Sequence, residues 1–161
     1  MYKRIALFIF LLSLAVFPAC DTGASEADLP PDPGEEGKQT LEGIDSDGDG
    51  VRDDVQRYIF MNYQDEPTRR ALVQYAKAEL RAVQIADDKE GSIKIFDEVA
   101  RAIECLTSIY PDEAPRISAK LVSVMFNTKA RIEAYVKSSD QGAGHTFSIR
   151  NPSDWPDSCP P

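Results

Sequence analysis

Apolar positions along this chain form one contiguous run near the start, then almost vanish, then recur at helical spacing. The run is Ile5 to Phe17, broken only by Ser13. Asp21 to Thr40 holds Pro30, Pro31, Pro33, Gly23, Gly34, Gly37 and several acids, with almost no apolar side chains. From Val51 onward the spacing changes to steps of three and four, the period of a helix with one buried face. Val51, Val55, Tyr58, Ile59 and Asn62 define a first helical face. A second helix is predicted from Glu66-Pro67, where proline suits the first turn, to about Asp87, with Leu72, Tyr75, Ala76, Leu80 and Val83 inward. A third spans about Lys89 to Tyr110, carrying Ile93, Phe96, Val99, Ala100, Ile103, Leu106 and Tyr110, and Pro111 ends it. A fourth opens at Ala114-Pro115 and runs to about Ser138, with Ile117, Leu121, Val124, Met125, Thr128, Ile132 and Tyr135 on one face. Alternation typical of a strand is confined to Thr146–Ile149. Helices joined by short connections predict an all-α fold, a small four-helix bundle, and the stripes are read as its core.

Composition and charge fit that reading and narrow the partners. With 42% hydrophobic and 28% charged residues in 161, the chain is ordinary for one globular domain. The formal net charge is −9; Lys3 and Arg4 are the only charged residues among 1–19, so the remainder carries −11. Such a surface repels phosphate backbones, so no nucleic acid is expected as a partner, and it concentrates divalent cations.

The start of the chain has the parts of an export signal: basic Lys3 and Arg4, the apolar run, then Pro18-Ala19-Cys20. About thirteen apolar residues are too few to span a hydrocarbon core of roughly 30 Å as a permanent helix. A cysteine directly after a small residue resembles the lipobox of bacterial lipoproteins, with Phe17 and Pro18 where leucine and a small residue are commoner. That resemblance implies cleavage before Cys20, lipidation of its sulfur and acylation of the new amino terminus. Secretion after Ala24 is the main alternative, and a retained membrane anchor a further one. The domain organisation read from the sequence is a signal peptide over 1–19, the lipidated Cys20 and a flexible linker over 20–40, and a folded domain with its tail over 41–161. Twenty flexible residues would hold that domain roughly 25 Å from the membrane on average.

The sharpest chemical signal is Asp45-Ser-Asp-Gly-Asp-Gly-Val-Arg-Asp-Asp54. Calcium takes six to eight hard oxygen ligands from a flexible loop, and alternate acids at Asp45, Asp47 and Asp49 aim three carboxylates inward from one tight turn. Gly50 stands where the turn is sharpest. The spacing resembles EF-hand-like loops, more closely those of dockerins and thrombospondin type 3 repeats than a paired sensor, because no entering helix precedes it. The resemblance implies a backbone carbonyl ligand from Val51 and a role for Asp53, direct or through water. The twelfth position holds Gln56 instead of a bidentate glutamate, and Asp54 or Gln56 completes the shell. The loss of that carboxylate implies a weak structural Ca2+ site, roughly 10⁻⁴–10⁻³ M.

Outside the signal, Cys105 and Cys159 form an even pair, and an exported chain would join them as a disulfide stapling the proline-rich tail across the helices; the alternative is two independent thiols, one buried and one exposed. Trp155 is expected to pack beneath that staple. His145 is the single histidine, and neither a zinc-ligand cluster nor a Gly-x-Ser-x-Gly elbow accompanies it. The expectation is a non-catalytic, lipid-anchored cell-envelope protein facing the periplasm or the outside. Its structural calcium site would serve a module that binds an envelope partner or supports structure. The alternative is a small envelope hydrolase or enzyme accessory.

Overall fold

The computed structural model describes residues 29–161; the stretch read as an export signal and Cys20, the expected lipidation position, lie outside the described residues. The described chain is all-helical, as the periodicity predicts. Its helices are α1 (Asp53–Asn62), α2 (Glu66–Gln84), α3 (Lys89–Ile109), α4 (Ala114–Met125) and α5 (Lys129–Gln141), and a 3-10 helix at Pro152–Ser158 packs on α3. No strand forms among the described residues, and Thr146–Ile149 is irregular.

Local chemistry sets the boundaries. The Asp65 carboxylate accepts from the Thr68 N–H at 3.0 Å and starts α2 with Pro67 in its first turn. Asp88 caps α3 in the same way, accepting from Gly91 at 3.1 Å. The α2–α3 pair forms the most extensive helix contact, and α1, α4 and α5 close over α2. The core runs from Val51, Val55 and Ile59 through Leu72, Tyr75 and Ala76 to Leu106, Leu121 and Met125, all almost fully buried. At about 25 cal/mol per Å² of apolar area removed from water, these stripes are the main source of stability.

The predicted fourth helix is two helices. Phe126 closes α4 by donating to the Val122 carbonyl at 2.9 Å, and Thr128 opens α5 by accepting from the Arg131 N–H at 3.3 Å. Thr128, counted on the apolar stripe, is therefore a cap, and the break resets the phase of the face that follows. Arg131 and Ser138 turn inward, while Ile132, expected in the core, is half exposed. Phe126 stacks on Tyr135 with ring centroids 4.5 Å apart and holds the two helices at the corner.

Residues 29–40, read as part of a flexible linker, lie against the domain. Arg57 of α1 donates to the Pro30 carbonyl at 2.9 Å, Glu36–Lys38 form a short 3-10 turn, and Gly37 is buried. Arg131 donates to the carbonyls of Gly37, Thr40 (3.1 Å) and Leu41 (3.2 Å), and to Asn127 Oδ1 at 2.7 Å. A count of apolar side chains misses this attachment because it is made through main-chain carbonyls.

Among the described residues no helix is long and apolar enough to cross a membrane.

Candidate metal centre

The loop Asp45–Val51 leads from this attached segment into α1. Val51 is fully buried and pins one end of it to the core. At the other end the Asp53 N–H donates to the Ile44 carbonyl at 2.8 Å, and the buried Asp53 carboxylate accepts from the Ser46 N–H at 2.8 Å and from the Ser46 hydroxyl. The neck of the loop is thereby closed.

Within the loop, Asp45 Oδ1 accepts from the N–H groups of Gly48 (2.9 Å) and Asp49 (3.2 Å), and its Oδ2 from Gly50 (2.9 Å). Asp49 accepts from the Val51 N–H at 2.8 Å. Gly48 and Gly50 have φ of +69° and +89°, so the chain bends twice through a conformation that side chains with a Cβ resist. The sequence pattern marked Gly50 for this duty; Gly48 shares it.

The bends bring Asp45, Asp47 and Asp49 together, one oxygen from each within 4.8 Å of the others. Asp45 and Asp47 face solvent and Asp49 is half-buried. The Asp47 carboxyl is held below the ordinary carboxylate range, chiefly by the Gln56 side-chain amide and then by the Asp49 N–H. A cation from the protein reaches the cluster at one edge: Lys77 Nζ of α2 lies 3.4 Å from Asp49. Among the described residues, three converging carboxylates against one partly exposed ammonium leave a net negative site of hard oxygens, which suits a divalent metal ion.

Of the other predicted ligands, Asp53 and Asp54 are engaged outside the cluster, while Gln56 lies against it. Asp53 serves the neck. Asp54 forms a two-point pair with Arg52, both bonds at 2.9 Å, and accepts from Asn127 at 3.4 Å. Gln56 donates to Asp47 at 3.2 Å, and its own Oε1 is buried without a hydrogen-bond partner among the described residues.

Behind the loop sit two buried arginines that no sequence pattern marked. Arg52 and Arg131 are 3% and 1% exposed, and Gly43 fills the space between them. A Cβ on Gly43 would come within 2.4 Å of Arg52 Cδ and 2.8 Å of Arg131 Nη2, and its φ of +71° independently requires glycine. Burial, and then the neighbouring Arg52 guanidinium, lower the Arg131 pKa from its ordinary value. Arg52 also donates to the Met125 carbonyl at 2.7 Å, tying the loop to the end of α4.

Away from the loop, Cys105 and Cys159 are joined as a disulfide with Cα atoms 4.8 Å apart. Buried Glu104 reinforces it, accepting from Arg150 at 2.9 Å and Ser158 at 2.8 Å. Trp155 is half-buried and donates to the Arg150 carbonyl at 3.1 Å. His145 is exposed, its ring edge-on to Phe147. No protein-family model, curated protein or solved structure matches this chain.

Proposed function

We propose that this is a non-catalytic protein of the bacterial cell envelope, lipid-anchored through Cys20. In this reading Ca2+ at Asp45, Asp47 and Asp49 staples the entering chain to a helical module that binds a partner or supports structure. The observation that carries the metal reading is the carboxylate cluster and its shortage of balancing cations. Carboxylate oxygens in a loop of this size are the donors calcium takes, and Val51 would add its backbone carbonyl. With Asp53 and Asp54 engaged elsewhere, water completes the shell, which supports weak affinity in the range of extracellular modules, roughly 10⁻⁴–10⁻³ M. The anchor and the address rest on the sequence of residues 1–20, and the disulfide agrees with an oxidising compartment. A partner-binding or structural role is favoured over catalysis because the single histidine sits exposed beside a phenylalanine, with no acid hydrogen-bonded to it among the described residues.

The test is a thermal melt with Ca2+ and then with chelator. Calcium at ten times its dissociation constant adds about 1.4 kcal/mol of stability by linkage. Asp47→Ala should abolish that increment. An unchanged melt in the wild-type chain at millimolar Ca2+ would remove the metal from this reading.

A further inference from the structure

The attachment of residues 29–41 to the domain sets how far the domain can stand from an anchor at Cys20. Arg57 of α1 holds the Pro30 carbonyl at 2.9 Å, and Arg131 holds those of Gly37, Thr40 and Leu41, so the chain is fastened from Pro30 onward. Ten residue steps separate Cys20 from Pro30, a reach of at most about 35 Å in any conformation. Counted to Thr40, the reach would be about 70 Å. A compact domain of the length of residues 29–161 is about 35 Å across. With Pro30 on the side turned away from a bilayer, the chain would have to run about 55 Å around the domain to meet it. The shorter reach forbids that orientation, whereas the longer one would allow it. An acyl anchor at Cys20 therefore turns the α1 side of the domain, where Pro30 is held, towards the lipid.

What lies on that side suits a lipid surface. Met61, one turn beyond Arg57 on α1, is 57% exposed and shares a depression with Asp32 and Gly34 of the attached segment. Tyr58 joins this depression to a second one, where Tyr63, Tyr110 and Lys120 lie. Tyr58 and Tyr63 meet edge to face with ring centroids 6.5 Å apart. Tyrosines are favoured where a bilayer meets water, because the ring is apolar and the hydroxyl polar. Three acids and two cations line the first depression, and one acid and two cations the second, so the face has no net charge. Residues 20–161 carry −11 as a whole, so anionic headgroups repel the protein at large but not at this face.

We infer that the α1 face bearing Tyr58, Met61 and Lys120 lies against the phospholipid surface, with Met61 entering the headgroup layer and Lys120 meeting lipid phosphates. The inference depends on the proposed lipidation of Cys20, and it names the surface on which the anchored module sits. Burying one methionine is too little to hold the protein at a membrane. The anchor supplies proximity, and the face supplies orientation.

The test uses the full chain purified from bacterial membranes, with mass spectrometry reporting the acyl mass on Cys20. In Met61→Cys and Ile149→Cys the new residue is the free thiol, because Cys20 is acylated and Cys105 is joined to Cys159. Ile149 is 77% exposed and lies beside α3, across α2 from α1, where Arg101 donates to the neighbouring Ser148 carbonyl at 3.3 Å. A fluorophore on each thiol is read in phosphatidylethanolamine–phosphatidylglycerol vesicles containing lipid spin-labelled at the headgroup. Quenching at position 61 is expected to be at least threefold that at position 149. Adding Lys120→Glu should reduce it at least twofold, with thermal melts showing that each variant is folded. Equal quenching at the two positions, or no effect of Lys120→Glu, would overturn the inference while an acylated Cys20 keeps the anchor. Absence of the acyl mass would overturn the anchor and the inference with it.

Discussion

The Gln56 side chain of α1 donates to the Asp47 carboxylate at 3.2 Å, so the first helix is hydrogen-bonded directly to the middle of the acidic loop. The same amide lowers the Asp47 pKa, favouring the ionised carboxylate that a metal requires. Gln56 thus ties loop to helix without adding a fourth charge to the cluster.

Gln56→Glu should separate those two roles. A carboxylate here adds a strong ligand when metal is present and a repelling charge when it is not. The variant should melt below the wild type in chelator, yet gain more from Ca2+, with affinity up about tenfold, or about 1.4 kcal/mol. Paired melts with calorimetric titration check both signs. A calcium response no larger than the wild type's would remove Gln56 from the neighbourhood of the ion.

Arg131→Lys keeps the charge but loses the planar fork that reaches Gly37, Thr40, Leu41 and Asn127 together. Because hydrogen bonds from charged donors are worth about 1.5–3 kcal/mol each, a net loss of about 3 kcal/mol is expected in urea unfolding. Residues 29–41 should also become sensitive to protease under native conditions, while the α2–α3 pair stays protected from hydrogen exchange. Wild-type resistance in that segment would show that Arg131 does not hold it.

Glu79 gives the chain an acid-side pH dependence. It is 8% exposed on α2, and burial raises its pKa above the ordinary 4.5, opposed in part by a hydrogen bond with Tyr75. The folded state therefore holds a proton that the unfolded chain releases. This group's contribution to stability falls as pH rises from 4.5 towards the raised value and stays low above it. Glu79→Gln should remove that slope and raise the melting temperature at pH 7 by a few degrees. Melts from pH 4 to pH 8 test it, and a variant with the wild-type slope would assign the dependence to another group.

How far the fold could be read in advance depended on whether each contact leaves a mark on the local sequence. Helical periodicity is such a mark, because a buried face repeats every three to four residues, and it located α1, α2 and α3 closely. The α4–α5 break left a fainter one. Thr128 and Arg131 fit the same helical spacing as their neighbours until the cap redirects the chain, and only packing shows that Arg131 goes inward while Ile132 does not.

The acidic loop divides along the same line. Alternating Asp45, Asp47 and Asp49 with Gly50 were legible because a tight turn is a local object whose geometry follows from spacing and positive φ. Asp53 and Asp54 fit the spacing equally well. Their destinations were decided by Ser46 across the neck and by Arg52, whose guanidinium is fixed by the Met125 carbonyl 73 residues away. The sequence by itself determined an all-helical chain, a cysteine pair and a turn of three acids. Tertiary structure decided which acids face one another, that residues 29–41 lie on the domain, and that two buried arginines meet at Gly43. Those are long-range contacts of main-chain carbonyls and close packing, and they have no period to read.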